Sequence, residues 1–364
     1  MPDAAPIEAV EVRAYTVPTD APESDGTFEW NATTLVVAGI RAGGESGLGY
    51  TYADTATATL IRDKLGPLLH GKDALDISAR WIELVRAVRN LGRAGIASMA
   101  ISALDVALWD LKAKRLGVPL GMLLAPARRA IRAYGSGGFT SYSLDRLREQ
   151  LGGWARDGLT AVKMKVGRDA DADLERVKAA RDAVGGGVEL FVDANGAYSQ
   201  PVALRQALEF ALEDVRWFEE PVSSDDLEGL RLLRTRRPPA MAIAAGEYGY
   251  DSAYFRRMLA AGAVDTLQAD ATRCGGVTGF LDAAALADAF GVPLSSHCAP
   301  ALHVPLCCAA RRAVHLEYFH DHVRIERMLF DGAPALRDGA LAFDASRPGH
   351  GLELKERDAE CYRA

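Results

Sequence analysis

The chain of 364 residues is longer than most single domains and short for three, and its 49% hydrophobic, 25% charged composition is that of a globular protein with a sizeable core. A formal net charge of −7, from 42 basic and 49 acidic residues, argues against nucleic acid or an anionic membrane as a partner, so an anionic substrate must be held by local charge. Five cysteines, an odd number without Cys-x-x-Cys spacing, argue against a disulfide framework and a thiolate zinc site and fit a reducing cytoplasm.

The acidic start MPDAAPIEAVEV lacks the basic region and apolar core of an export signal. Strand-like runs over residues 7–17, 33–40 and 44–52 predict an antiparallel meander. Helical periodicity follows over 53–69, 77–91 and 96–116, where Gly117 and Pro119 supply the stop. The longest apolar stretch, 97–111, is interrupted by Asp105 and reads as a buried helix rather than a membrane span. These elements form an α+β unit over residues 1–126.

From Ile131 the pattern changes to short β-rich runs at 131–134, 161–166, 188–192, 215–218, 241–244, 264–268, 292–294 and 313–316, alternating with helical stretches. A βα rhythm of this length predicts a parallel barrel over residues 127–327. No comparable helix is predicted after the eighth run. Residues 328–364, rich in Gly, Pro and Asp, are expected to pack back on the first unit.

In such a barrel the chemistry sits at the C-terminal ends of the strands. The second run ends in Lys163-Met164-Lys165, whose ammonium groups share the inward side by strand alternation. The following runs end in Asp193-Ala194-Asn195, Glu219-Glu220-Pro221, Gly246-Glu247, Asp270, His297 and Glu317. Singly, each reads as a helix cap or a solvated loop residue. Caps have no reason to recur at every strand end, however, and a lysine pair inside a barrel mouth would repel without anions nearby.

Asp193, Glu219 and Glu247 offer three hard oxygen ligands without Cys or His, a set that favours one Mg²⁺, with Mn²⁺ as a substitute, over Zn²⁺. Two bases flank them. Lys165 is expected to have its pKa lowered toward neutrality by Lys163, and His297 is expected to be oriented by Asp270. A metal between two bases points to removal of the proton α to a carboxylate. The enediolate charge would then be met by the cation, by Lys163 and by Glu317, the last donating a hydrogen bond if protonated.

The strings KMK, VDAN, WFEEP, AGE, DATRCGGVTG, SSHCAP and HLE, in this order, resemble the mandelate racemase subgroup of the enolase superfamily over nearly the whole chain. The resemblance implies a (β/α)7β modified TIM barrel with an N-terminal α+β capping domain, and one Mg²⁺ held by Asp193, Glu219 and Glu247. It also implies Lys165 and the Asp270–His297 dyad as bases, Lys163 and Glu317 as carboxylate-binding groups, Asn195 as a substrate contact, and a homo-oligomer. A Lys or His base beside Mg²⁺ is established for that superfamily.

Residues 18–30 correspond to that family's specificity loop and are acidic and polar, which suits a polyhydroxylated acid better than an aryl one. The leading expectation is dehydration of an aldonate or aldarate to a 2-keto-3-deoxy acid. The alternatives are racemisation or epimerisation of an α-substituted carboxylic acid, another metal-dependent barrel reaction such as an aldol cleavage, and a barrel that binds without turnover. Trp30, Tyr50 and Tyr52 read as packing, and His303, His315, His320 and His322 as core or surface histidines. Cys274-Gly275-Gly276 reads equally as an anion nest or a tight turn, and Cys298 is expected to point away from its neighbour His297.

Overall fold

The first strands alternate buried and exposed side chains as a sheet covered on one face requires. The computed structural model describes residues 4–364. It forms the cap from β1 (Ile7–Ser24), β2 (Glu29–Ala42) and β3 (Glu45–Tyr52), antiparallel in that order. Residues 18–30 are not a free loop. After a register shift between Pro18 and Glu23, pairing resumes at Glu23 with Trp30 and Ser24 with Glu29, so the segment closes as a hairpin. Pro18, Pro22 and Gly26 gave it the composition of a loop.

The helix Ile96–Arg115 lies on β3 at such close range that a Cβ on Gly47 or Gly49 would come within 2.0 Å of the carbonyl oxygens of Ala107 and Ala103. Its far side faces the barrel. There Ser102 Oγ accepts from the backbone N–H groups of Gly275 (2.9 Å) and Gly276 (3.2 Å), while Asp105 accepts from Thr278 N (2.9 Å) and Thr278 Oγ1 (2.7 Å). The cap therefore supplies the N-terminal capping groups of the barrel helix Gly276–Phe290. The Cys274-Gly275-Gly276 turn is satisfied from within the protein, and Asp105, the polar interruption in an apolar helix, is explained by this contact.

The barrel consists of β4 (Ala130–Gly137), β5 (Ala161–Lys165), β6 (Glu189–Asp193), β7 (Val215–Glu219), β8 (Ala242–Ala245), β9 (Thr266–Ala269), β10 (Leu294–Ser296) and β11 (Ala313–Phe319). Neighbours in sequence are neighbours in space, all parallel, and β11 pairs with β4 to close the ring. A helix does follow the eighth strand: His320–Leu329 starts directly after β11. Its buried face includes Asp321, His322 and Glu326 beside Val323, Ile325 and Leu329, so hydrophobic periodicity alone hides it. The polar members of that face bind the cap, Asp321 accepting from the Thr33 hydroxyl and Glu326 from Tyr50 Oη at 2.7 Å.

The tail contributes β12 (Phe330–Asp331), β13 (Ala340–Ala342) and β14 (Glu353–Leu354). β13 runs antiparallel along β4, and the final residues return to β1 through Tyr362 O, which accepts from Thr16 N at 2.8 Å. Among the described residues, no helix is long and apolar enough to cross a membrane.

Inside the barrel, Tyr134, Phe191, Trp217 and His315 pack ring against ring as a floor. Two residues further along their strands, the same inward positions become Asp193, Glu219 and Glu317. The floor excludes water from below, and the ionisable residues stand on it.

Candidate active site

The ends of the barrel strands and the cap enclose a cavity of about 540 Å³. Lys165, Asn195, Glu247, Asp270, His297 and Glu317 line it. Lys163, Asp193 and Glu219 are fully buried and join that lining through ion pairs. The structure thus brings together every residue singled out at the strand ends.

Oxygen atoms of Asp193, Glu219 and Glu247 all lie within 4.8 Å of one another. Each is placed by its own strand or the turn that follows. Asp193 Oδ1 accepts from Asn195 N (2.9 Å), and Glu219 Oε2 from the Trp217 indole N–H (2.9 Å). Glu247 follows Gly246, whose φ of +139° brings the chain so near β9 that a Cβ would lie 2.1 Å from Gln268 O. Burial, and then Asp193, raise the Glu219 carboxyl to about 8. Three such groups demand positive charge, and the two lysines meet part of the demand.

Lys163 Nζ lies 2.5 Å from Glu219 Oε1, 2.8 Å from Glu317 Oε1 and 3.4 Å from Asp193 Oδ2. Lys165 Nζ donates to Asp193 Oδ2 (2.5 Å) and to Asn195 Oδ1 (3.1 Å). Here the sequence-based expectation for Lys165 is reversed. Burial and Lys163 both lower its pKa, but Asp193, Glu247 and Glu219 together, with no cation on these carboxylates, hold the ammonium above its ordinary range. Glu317 also departs from expectation. Although burial opposes ionisation, Lys163, His297 and Lys165 together hold its carboxyl well below the usual range, and its second oxygen accepts from Cys298 N at 2.7 Å. In this arrangement Glu317 is an acceptor at both oxygens rather than a donor.

Across the mouth, His297 Nδ1 lies 2.9 Å from Asp270 Oδ2, while Asp270 Oδ1 accepts from Thr272 N and Thr272 Oγ1, both at 2.7 Å. The aspartate is fixed by three partners and orients the imidazole, whose Nε2 lies 3.3 Å from Glu247 Oε2. Burial would lower the His297 pKa, but Cys298, Glu247 and Asp270 together raise it well above the ordinary value.

Three residues in or beside the site were not given a role in it by the sequence. Arg273 lines the cavity, donates to Glu247 O (3.2 Å) and Glu247 Oε1 (3.4 Å), and lies over the Tyr248 ring. Its signal was the arginine within DATRCGG. Glu220 is buried with Oε1 unpartnered, and burial followed by Glu247 raises its pKa well above the usual range. Cys298 turns into the cavity, its Sγ 3.3 Å from His297 Nε2, because φ is +50° at Cys298 and +39° at Ala299. The expected alternation fails there because the chain has left the extended region. Trp30, Tyr52 and His322 also line the cavity, with Tyr52 and His322 stacked at 3.4 Å between centroids.

The hairpin tip of the cap is seated on the barrel. Thr140 Oγ1 donates to Asp25 O (2.7 Å), Ser141 Oγ to Pro22 O (2.7 Å), and Arg168 Nη1 to Ser24 Oγ (2.9 Å) and Glu29 Oε2 (3.0 Å). Gly26 touches the ends of β5 and β6, where a Cβ would lie 2.7 Å from Ala194 O and 2.8 Å from Val166 O.

A closed parallel barrel with ionisable residues at successive strand ends, covered by a three-stranded cap, defines an enzyme of the enolase superfamily. Residues 9–125 match the mandelate racemase/muconate lactonizing enzyme N-terminal domain and residues 146–359 the enolase C-terminal domain-like family, so the chain belongs to the mandelate racemase/muconate lactonizing enzyme family. It is similar to a mandelate racemase/muconate lactonizing enzyme-like protein from Rubrobacter xylanophilus, with 52% identity, a TM-score of 0.96 and coverage of 98% of this chain and 99% of that one. It is 32% identical over 363 residues to the L-talarate/galactarate dehydratase of Salmonella typhimurium, covering 96% of this chain and 89% of the relative. The structure of that dehydratase liganded with Mg and L-lyxarohydroxamate gives a TM-score of 0.91 at 31% identity, over 99% and 93% of the two chains. The 3,6-anhydro-α-L-galactonate cycloisomerase of Streptomyces coelicolor is 33% identical over 357 residues, 96% of this chain and 97% of the relative.

Proposed function

We propose that this protein dehydrates an acid sugar, an aldonate or aldarate, to a 2-keto-3-deoxy acid with one Mg²⁺ held by Asp193, Glu219 and Glu247. The observation that carries the reading is the all-oxygen trio between Lys165 and the His297–Asp270 pair, under a cap whose contribution to the cavity includes hydroxyls and carboxylates. The donor set fits a hard cation, and the Glu219 carboxyl, raised to about 8 by burial and then by Asp193, would be met by positive charge placed between them. When bound, Mg²⁺ acts as a Lewis acid on the substrate carboxylate.

The chain's own residues do the rest. Lys163 neutralises the substrate carboxylate beside Glu317, and Asn195 orients the substrate with Lys165. One of Lys165 and His297 takes the α-proton. The electron pair moves first into the carboxyl group as an enediolate and then forms the C2–C3 double bond as the C3–O bond breaks, and the other residue gives a proton to the leaving hydroxyl, which departs as water. The enol then tautomerises to the keto acid. Lys165 and His297 stand on β5 and after β10, on opposite sides of the mouth, so the configuration of the α-carbon decides which of them starts. The same opposition would permit inversion at that carbon, which is the second reading.

The test is incubation with a panel of aldonic and aldaric acids in D₂O with Mg²⁺, followed by semicarbazide detection of keto acids and NMR of the α-position. Keto product that disappears with EDTA supports dehydration. Deuterium at the α-carbon without keto product moves the reading to racemisation or epimerisation, and no change with any acid sinks both. Gly26→Val is expected to lift the hairpin tip off β5 and β6, raise KM and cut kcat/KM by at least ~10-fold, because small misplacements of a substrate wall are costly. Its stabilisation by Mg²⁺ in a melting experiment should be unchanged.

A further inference from the structure

The cations of the cavity lining all stand at its barrel end, among carboxylates, whereas the charged groups at its cap end are carboxylates alone. Among the described residues that line it, the only lysine and arginine are Lys165 and Arg273. Both belong to the barrel and both are committed, Lys165 to Asp193 and Asn195, Arg273 to Glu247 and the Tyr248 ring. The cap brings no lysine or arginine to the lining. It brings the carboxylates of Asp25 and Asp54 and the hydroxyls of Thr27, Thr33 and Thr34. Arg168, in the loop after β5, and Arg146, in the helix Leu144–Arg156 after β4, are turned to Glu29 and Asp20 and stand outside the lining.

The two aspartates are held in place. Asp25 Oδ1 accepts from Thr27 N (2.6 Å), Thr27 Oγ1 (3.0 Å) and Phe28 N (2.7 Å) in the hairpin turn. Asp54 Oδ1 caps the helix Thr55–Leu60 through Ala56 N (2.8 Å). Each spends one oxygen on local backbone, and the other is left to accept from a hydroxyl. Local structure explains why aspartate serves at these positions, and its charge reaches the cavity all the same.

We infer that the substrate is a monocarboxylate whose far end is uncharged and rich in hydroxyls, an aldonate rather than an aldarate. The inference rests on the acid-sugar reading above and narrows it. Once one carboxylate occupies the barrel floor, a second at the far end of the sugar chain would meet Asp25 and Asp54 with no cation to offset them, whereas a terminal hydroxyl would donate to them.

The test compares acids of matched stereochemistry, gluconate with glucarate and galactonate with galactarate, at saturating Mg²⁺. Whichever pair is accepted, kcat/KM for the monoacid should exceed that for the diacid by roughly 100-fold or more. In Asp54→Asn the ratio should narrow about tenfold, and Asp54→Ser should narrow it equally, since both residues still cap the helix and neither carries charge. Equal turnover of the two acids, or preference for the diacid, would overturn the inference while leaving dehydration intact. If no sugar acid is turned over, the acid-sugar reading fails by itself. The charge preference is then read from binding of the same acids to the Mg²⁺-loaded protein by calorimetry, where a diacid held as tightly as its monoacid overturns it.

Discussion

His297→Asn and Lys165→Ala are each expected to reduce turnover by about 10³-fold or more, and to fail differently. A positioned proton donor or acceptor contributes roughly 10²- to 10⁴-fold, and dehydration needs both groups in one cycle. For a substrate whose α-hydrogen faces Lys165, His297→Asn still exchanges that hydrogen with D₂O but releases no keto acid, because nothing protonates the departing hydroxyl. Lys165→Ala does neither with the same substrate. NMR of the α-position separates the two, and wild-type turnover in both variants would refute the two-residue scheme. Asp270→Asn adds a pH signature. Asp270 helps to raise the His297 pKa, so the variant's imidazole loses its proton at lower pH. Where His297 acts as the acid, the basic limb of the kcat/KM profile moves to lower pH by the same amount.

What could be read from the chain alone follows the reach of one rule. Side chains alternate while the backbone stays extended, so Lys163 and Lys165 on β5 were placed inward together, as were Asp193 and Glu219 at the tips of β6 and β7. The rule stops where the strands stop. Glu220 at φ +36° and Cys298 at φ +50° have left the extended region, and no alternation argument could place their side chains. Arg273 lies beyond β9 in a loop whose course is set by the cap, through Ser102 and Asp105. The helix His320–Leu329 escaped for a related reason. Its inner face is polar because it meets Thr33 and Tyr50 of the cap, and a pattern of apolar residues cannot report a partner more than two hundred residues away in the chain. Charge balance was the other blind spot. The repulsion between Lys163 and Lys165 was visible in the sequence, but only the structure shows that Asp193 lies 2.5 Å from Lys165 and reverses its effect.

Glu219→Gln is expected to weaken Mg²⁺ binding by at least ~100-fold, more than the 10- to 100-fold typical of losing an outer partner, and to bring activity below detection. Its effect on stability should change sign with the cation. Glu219 is raised to about 8, so between the usual carboxylate range and pH 8 the folded protein keeps a proton that the unfolded chain has lost. Stability therefore falls as pH rises through that window, and the loss is complete above pH 8. Glutamine does not titrate. In EDTA at pH 9 the variant should melt above the wild type, since Lys163 keeps Glu317 at 2.8 Å and Asp193 at 3.4 Å and is not stranded. With millimolar Mg²⁺ the order should invert, because the wild type gains RT ln(1 + [Mg²⁺]/Kd) and the variant gains little. A variant that is still stabilised by Mg²⁺ as strongly as the wild type would show that the ion is held elsewhere. A variant that melts lower in both conditions would show that the Glu219–Lys163 pair stabilises the fold more than the crowded carboxylate costs it.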